Sequence, residues 1–230
     1  MLSTESVRVS YGSVIALDDV TIDVAEGSIH GVIGPNGAGK STLMNVLSGA
    51  AKPKQGTIRL DGQDISGRPV RWRRRHGLSR SFQRTSIFPG LTVREQLGLA
   101  ARGDRAQVSR IARVFGLDEV LDVRADATSY GDQRRVDIAL AAAGTARVLL
   151  LDEPAAGLTN QETAGLFGHV TSLVRDEGLT AVIVEHDVDA VFGSCDVVTV
   201  LDLGKVLMTG TPSQVRSDQR VITAYLGTAA

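Results

Sequence analysis

The stretch that decides the fold reads Gly34-Pro35-Asn36-Gly37-Ala38-Gly39-Lys40-Ser41-Thr42. It matches the pattern G-x-x-x-x-G-K-[ST] in full, and it lies between a short apolar run at residues 28–33 and a helical pattern at residues 41–48. Glycines here let backbone N–H groups surround a phosphate chain without Cβ clashes, and the following helix directs its positive end to the same anion. The stretch therefore predicts a phosphate-binding loop, in which Lys40 contacts the β- and γ-phosphate oxygens and Ser41 ligates Mg²⁺.

Two acids follow an apolar run further along the chain. Residues 148–151 read Val-Leu-Leu-Leu, and Asp152 and Glu153 come directly after them. Such acids also serve as helix N-caps or turn residues, but the phosphate loop upstream favours a magnesium and water site. Asp152 is predicted to hold the metal, directly or through water, and Glu153 to orient or deprotonate an attacking water. The adjacent pair favours hydrolysis over phosphoryl transfer, and the sequence has no N-K-x-D run of the kind that reads guanine.

Length and composition exclude several classes of protein. The 230 residues fit one domain, or one domain with an insertion. Lys and Arg number 25 and Asp and Glu 26, so a global polycation that coats nucleic acid is excluded. The single cysteine, Cys195, excludes a disulfide framework and a four-cysteine zinc site. No apolar run approaches the ~20 residues of a membrane-spanning helix, and the N-terminus has no leader pattern, so we expect a soluble or peripheral protein.

The pattern along the chain favours an α/β architecture. Short apolar runs alternate with helical patterns, which predicts βαβ units and a largely parallel sheet. Alternation at residues 6–10 and 20–24 predicts strands near the N-terminus. Apolar residues at helical spacing predict a small helical insertion at residues 91–127, and the alanine-rich stretch 132–143 predicts another helix.

Six motifs come in an order that resembles the ATP-binding cassette (ABC) ATPases. They are Tyr11, the phosphate loop, Gln83, Ser129-Tyr130-Gly131, the Asp152-Glu153 pair and His186. The resemblance implies a single ABC ATPase domain over residues 1–230, with a RecA-like P-loop NTPase core, an antiparallel β subdomain and a small helical subdomain. The core would comprise residues 1–90 and 133–230, and the helical subdomain about 91–132. ATP and Mg²⁺ are the implied cofactors.

The resemblance also implies roles for residues that their own chemistry leaves open. Tyr11 would stack on adenine, and Gln83 would touch both the metal–water shell and a membrane partner. Ser129 and Gly131 would cap the γ-phosphate held by a neighbouring subunit, although a serine there is also an ordinary N-cap. His186 would contact the γ-phosphate. The implied catalytic group is therefore Glu153, His186 and Gln83, and the implied metal group Ser41, Gln83 and Asp152.

Four shorter runs resemble the ATPase subunits of branched-chain amino acid importers, a subgroup shared with urea and short-amide importers. They are Ser81-Phe82-Gln83-Arg84 and the runs at residues 129–135, 153–158 and 224–227. This resemblance implies membrane permease subunits, a second ATPase subunit, an extracytoplasmic solute-binding protein and no nucleic acid. It places the chain at the cytoplasmic face of the inner membrane. Two alternatives remain at this point: a soluble ABC switch protein, and the ATPase of an exporter or lipid extractor.

The chain departs from the general ABC pattern at five positions. Thr128 stands in place of Leu, Asp132 in place of Gln or Glu, Leu140 in place of Arg, and Thr159 in place of Asp or Asn. The fifth, Tyr130 in place of Gly, is ordinary for the importer subgroup. These changes gather in the half of the chain that the family offers to its neighbour, while the phosphate loop and its acids keep the family pattern. The sequence therefore predicts an asymmetric pair, with a good catalytic half-site and a weakened signature in this chain.

A basic stretch has several interpretations. Residues 68–84 contain seven arginines and no acid. They could face anionic lipid headgroups or an acidic loop of a membrane subunit, or form a solvated face. Nucleic acid is a weaker third interpretation, because Trp72 is the only tryptophan and no row of aromatics accompanies the charges.

Overall fold

Strands alternate with helices along the chain, as the sequence predicts. A computed structural model describes residues 1–83 and 85–226, so Arg84 and Gly227, which belong to the importer-like runs, lie outside the described residues. The strands are β1 (Leu2–Tyr11), β2 (Val14–Val24), β3 (Ile29–Ile33), β4 (Gln55–Leu60), β5 (Gln63–Asp64), β6 (Leu78–Ser81), β7 (Val148–Asp152), β8 (Thr180–Val184), β9 (Val197–Asp202) and β10 (Lys205–Gly210). The helices are α1 (Lys40–Ser48), α2 (Val70–Arg75), α3 (Val93–Ala100), α4 (Arg105–Val114), α5 (Tyr130–Ala142), α6 (Asn160–Glu177), α7 (Val188–Ser194), α8 (Pro212–Ser217) and α9 (Gln219–Val221).

A six-stranded sheet forms the centre, in the order β10-β9-β3-β8-β7-β6. Its strands run parallel except for β10, and β3, β7 and β8 are buried along their whole length. Side chains alternate between two apolar cores, so that Leu149 and Leu151 face one and Val148 and Leu150 the other. The carboxyl ends of β3 and β7 therefore deliver the phosphate loop and the paired acids to the same edge.

A second sheet is antiparallel, in the order β2-β1-β4-β5, and it covers one face of the first through the core that contains α1. Strands β1 and β2 are longer than the sequence alternation predicts. The register shifts between Thr4 and Val7, and Ser6 and Asp19 have positive φ angles of 49° and 58°. These bulges interrupt the alternation of buried and exposed side chains. A search for alternating apolar residues therefore detects only part of each strand.

The helical insertion is present and packs on the other core. Helices α3 and α4 lie within the predicted range, and α3 begins with a capping box formed by Thr92 and Glu95. Apolar side chains of the insertion, such as Leu97 and Phe115, belong to the same hydrophobic cluster as one face of the central sheet. Helix α5 begins at Tyr130, two residues before the predicted start, because Ser129 caps it. It continues without a break into the α/β core.

The basic stretch is divided between the core and the surface, and the surface interpretations fail for Arg73 and Arg74. Arg73 is fully buried, and it donates to the carbonyl oxygens of Val46 and Leu47 at the end of α1, at 2.6 and 2.7 Å. Arg74 donates to three carbonyls at the end of α5. A cation at a helix C-terminus satisfies carbonyls that have no partner within the helix. The side chains of Arg68, Arg71 and Arg75 remain exposed.

A buried histidine in β3 makes stability depend on pH. His30 is only 1% exposed, its Nε2 lies 2.8 Å from Oγ1 of Thr199, and burial lowers its pKa from 6.5 to about 4. The unfolded chain therefore binds the proton more tightly, and the free energy of unfolding should fall by about 2 kcal/mol between pH 7 and pH 5 through this group. Denaturant titrations of the wild type and of His30→Gln check this. In the variant, the free energy of unfolding should fall by about 2 kcal/mol less between pH 7 and pH 5 than in the wild type. An equal fall in both proteins would contradict the prediction.

Candidate functional site

The phosphate loop has the backbone that the glycine pattern predicts. Gly34, Gly37 and Gly39 have φ angles of 151°, 81° and 105°. A Cβ on Gly34 would lie 2.1 Å from the carbonyl oxygen of Leu201, and one on Gly39 would lie 2.6 Å from that of Ala16. Only glycine fits these two positions, both for backbone angle and for space. The turn is therefore held against β9 and β2, with α1 starting directly behind it.

The ammonium group of Lys40 is folded over this turn. Its Nζ donates to the carbonyl oxygens of Gly34 at 2.6 Å and of Pro35 at 3.0 Å, and the residue is 6% exposed. Burial lowers the pKa of Lys40, while the nearby carboxylates of Glu153 and Asp152 act in the opposite direction. A desolvated cation of this kind attracts an anion more strongly than it would in water.

Asp152 lies at the end of β7 and is paired with an arginine that the sequence did not single out. Nη2 of Arg80, on β6, lies 2.6 Å from Oδ2 of Asp152, and both side chains are almost buried. Nη1 of the same guanidinium donates to Oδ1 of Asn45 on α1 at 2.8 Å. Arg80 thus connects the acid to the helix of the phosphate loop and balances its charge.

Glu153 is the meeting point of the three predicted catalytic side chains. Nε2 of Gln83 donates to Oε2 of Glu153 at 2.7 Å, and Nε2 of His186 lies 3.0 Å from Oε1. Glu153 has a positive φ of 48°, which is uncommon for a residue with a side chain and is typical of functional sites. Its carboxylate and His186 face a hollow of about 200 Å³. The rest of the hollow is lined by Ala16, Asn36, Gly37, Ala38, Gly39, Lys40, Ser41 and Thr42.

Tyr11 lies at the tip of the β1–β2 hairpin, where it pairs with Val14. Tyr11 is 53% exposed, and Val14 and Ile15 beside it are exposed as well. Tyr11 is therefore not part of either apolar core. Ala16, further along β2 in the same hairpin, lines the hollow, whereas Tyr11 is not among its lining residues.

Ser129 and Gly131 lie away from the phosphate loop of their own chain, in a different hollow that Arg135 and His169 also line. Oγ of Ser129 accepts from the backbone N–H of Asp132 at 3.1 Å and donates its proton to Oδ2 of the same residue at 2.7 Å. The other carboxylate oxygen of Asp132 is paired with Arg135. The hydroxyl proton of the serine is thus already used within this chain.

Comparison with known proteins decides the family. The sequence model described as "ABC transporter" matches residues 17–156, and the one described as "Branched-chain amino acid ATP-binding cassette transporter" matches residues 205–230. The chain belongs to the ABC transporter family. The ABC fold inferred from the sequence is confirmed, and this ABC ATPase is an ATP-hydrolysing transporter subunit.

Several relatives extend over the whole ABC ATPase. It is 34% identical to the high-affinity branched-chain amino acid transport ATP-binding protein BraF of Pseudomonas aeruginosa and 36% identical to LivG of Escherichia coli K12, covering 100% of this chain and 98% of each relative. It is 35% identical to the lipopolysaccharide export ATP-binding protein LptB of Haemophilus influenzae, over 99% of this chain and 97% of the relative. The solved ADP conformation of the ABC transporter cassette MJ1267 matches with a TM-score of 0.89 and 29% identity, over 99% of this chain and 98% of the other.

Sequence reasoning missed a second carboxylate beside the site of this ABC ATPase. Glu185 follows β8 and is buried, and it accepts from the backbone N–H groups of Ala155 at 2.7 Å and His186 at 3.0 Å. Burial raises the pKa of its carboxyl. The sequence feature that could have indicated Glu185 is its place between the apolar strand β8 and His186. Glu185 connects the chain after Glu153 to His186, so it fixes the spacing of these two side chains.

Proposed function

We propose that this ABC ATPase drives the import of branched-chain amino acids, or of a related amino acid or amide. The hydrolytic part rests on one observation, the contact of Glu153 with Gln83 and His186 at the edge of the phosphate-loop hollow. The choice of solute is supported by the relatives BraF and LivG and by the match of residues 205–230 to a branched-chain amino acid transporter model.

The residues present fit a magnesium nucleotide. Mg²⁺ prefers oxygen ligands. Ser41, which lines the hollow, supplies a hydroxyl, and Asp152 at the end of β7 supplies a carboxylate, one oxygen of which is paired with Arg80. We assign Ser41 and Asp152 to the metal, with Gln83 acting on its water shell. When bound, the metal supplies positive charge to the phosphate oxygens. Lys40 and the backbone N–H groups of residues 36–42 bind the phosphates, and Tyr11 stacks on the adenine.

Hydrolysis needs a water in line with the γ-phosphate, and Glu153 is the group that orients it and takes its proton. The water oxygen forms a bond to the γ-phosphorus while the bond to the bridging oxygen breaks, which releases ADP and phosphate. His186, whose Nε2 lies 3.0 Å from Oε1 of Glu153, is assigned as a donor to a γ-phosphate oxygen. Gln83 keeps the carboxylate oriented through its 2.7 Å hydrogen bond.

A second ATPase subunit completes the proposed assembly. Because Ser129 and Gly131 do not reach the phosphate loop of their own chain, they are available to the nucleotide of a neighbour. Among the described residues, none of the helices could span a membrane. Because the relatives BraF and LivG are named as transport ATP-binding proteins, we assign the transport path to separate permease subunits, with this chain at their cytoplasmic face and a solute-binding protein on the other side. ATP binding closes the ATPase pair, and its closure shifts the permease between accessible states.

The sequence left two alternatives open, a soluble switch protein and an exporter ATPase. The relationship to LptB keeps export as the second candidate. The branched-chain match at the C-terminal residues and the full-length relatives of that type weigh against both.

Reconstitution with its cognate permease subunits in proteoliposomes tests the proposed function. With solute-binding protein present, we expect ATP-dependent movement of labelled leucine, isoleucine or valine in the import direction. Uptake should stop in the Glu153→Gln assembly. Movement of substrate in the opposite direction, or of sugar or lipid only, would contradict the proposal.

The signature of this chain should be weakened by its own acid. Asp132 adds a negative charge where the neighbour's γ-phosphate is proposed to bind, and it holds the hydroxyl proton of Ser129. Removing a charge-repulsion of about 1 kcal/mol corresponds to roughly fivefold in rate. We therefore expect Asp132→Gln to raise ATP turnover of the assembled transporter severalfold. Asp126→Gln is the control, because this acid is also paired with an arginine, Arg124, but lies outside the signature. An unchanged or lower turnover in Asp132→Gln would rule out the asymmetric pair.

A further inference from the structure

One arginine of α5 ends among the backbone carbonyls of the catalytic group. Arg134 is fully buried, and its guanidinium donates to the carbonyl oxygens of Glu153 at 2.6 Å and Gln83 at 2.9 Å. It also donates to those of Pro154 at 3.0 Å and Phe82 at 3.3 Å. Gln83 and Glu153, whose side chains are hydrogen-bonded to each other, therefore also have their backbone carbonyl oxygens bound by the same guanidinium group. Seventy positions separate Gln83 from Glu153, so this contact is purely tertiary.

A second residue of α5, the acid Asp137, binds the segment that contains Gln83. Asp137 is buried, and it accepts from the hydroxyl of Ser81 at 2.6 Å and from the backbone N–H of Ser86 at 2.9 Å. Residues three apart lie on one face of a helix, so Arg134 and Asp137 act side by side. One side chain binds carbonyl oxygens next to Gln83, and the other binds hydrogen-bond donors on either side of it.

We propose that Arg134 and Asp137 form a clamp that positions Glu153 and Gln83 for hydrolysis and makes them move with the signature helix α5. A residue with positive φ costs free energy and keeps that conformation only where its surroundings impose it. The guanidinium of Arg134 imposes it at Glu153 by binding the carbonyl oxygens of Glu153 and of Pro154 after it. This inference rests on the proposed role of Glu153. The clamp adds two positioning residues, Arg134 and Asp137, which line neither the phosphate loop nor the hollow beside it.

A buried arginine can also be purely structural, and the chain contains a matched example. Arg73 is as fully buried as Arg134 and likewise donates only to carbonyl oxygens. These oxygens belong to Val46, Leu47, Ile65, Ser66 and Arg68. None of them is in the catalytic group, so Arg73→Lys reports what losing a buried guanidinium does to folding alone.

The experiment compares Arg134→Lys with Arg73→Lys in the full chain and in the assembled transporter. We expect both variants to lower the unfolding temperature. Only Arg134→Lys should speed amide hydrogen exchange roughly tenfold in peptides that contain residues 81–83 and 153–158. It should also lower kcat about tenfold or more, because a displaced general base loses its alignment, while KM for ATP stays within about twofold.

The clamp has a second test if Arg134→Lys does not fold. Asp137→Asn keeps an acceptor for one of its two donors, and we expect faster exchange at residues 81–83 and a lower kcat with unchanged KM. Equal exchange and equal kcat in Arg134→Lys and Arg73→Lys, or a wild-type profile for Asp137→Asn, would overturn the clamp. If instead Glu153→Gln remains active, the proposed role of Glu153 fails and not the clamp alone.

Discussion

Replacing Glu153 with Gln should lower the ATP turnover of the assembled transporter at least about a hundredfold. The carboxylate is the only group in the described part of the hollow that can both orient a water and take its proton, apart from His186 beside it. Glutamine has the same shape and can still accept the hydrogen bond from Gln83, so the backbone and the contact of 2.7 Å should survive. The loss should therefore fall on kcat, with nucleotide affinity retained.

Phosphate release from the assembled complex measures this, together with a binding titration of the same protein. Glu119→Gln is the control, because Glu119 is an exposed acid on the helical insertion. We expect it to leave turnover within about twofold, as exposed substitutions usually do. Persistent hydrolysis in Glu153→Gln would show that another group activates the water.

Replacing Lys40 with Met should weaken nucleotide binding about a hundredfold without unfolding the chain. Losing charge-assisted hydrogen bonds worth about 3 kcal/mol corresponds to roughly a hundredfold in Kd. The substitution should change the free energy of unfolding little, because burial already disfavours the charged form of Lys40 and lowers its pKa. Methionine also fills the space of the lysine stem.

A fluorescent-nucleotide titration and a thermal unfolding curve separate these two effects. Lys52→Met is the control, because Lys52 is exposed in the turn after α1. It should bind nucleotide like the wild type. If Lys40→Met bound ATP with wild-type affinity, the phosphates could not be held by this loop.

The parts of the fold that the sequence predicted are those fixed by local chemistry. The phosphate loop needs glycine at Gly34 and Gly39 for its backbone angles, and such a requirement is visible in the sequence itself. The buried strands β7 and β8 are apolar at four consecutive positions each, residues 148–151 and 181–184, which indicates a parallel sheet covered on both faces. The sequence does not predict helix α7, because its N-cap Asp187 directly follows His186 and the helix has only seven residues.

The remainder depends on contacts between distant residues. Arg71, Arg73 and Arg75 look alike in the sequence, yet only Arg73 enters the core, because the ends of α1 and the turn before α2 present carbonyls to it. The same holds for Arg134, which is one of two consecutive arginines in α5. Which of them faces Glu153 is decided by the packing of α5 on the sheet, and no local pattern expresses that choice.

The central claim is that the turn between β3 and α1 binds the triphosphate of ATP and that Glu153 makes it reactive. Titration calorimetry of the purified full chain with ATP and magnesium tests the claim most directly. We expect saturable binding of one nucleotide per chain, the same in Glu153→Gln and about a hundredfold weaker in Lys40→Met. Absence of any binding heat for ATP and for ADP, with the protein folded, would contradict the account.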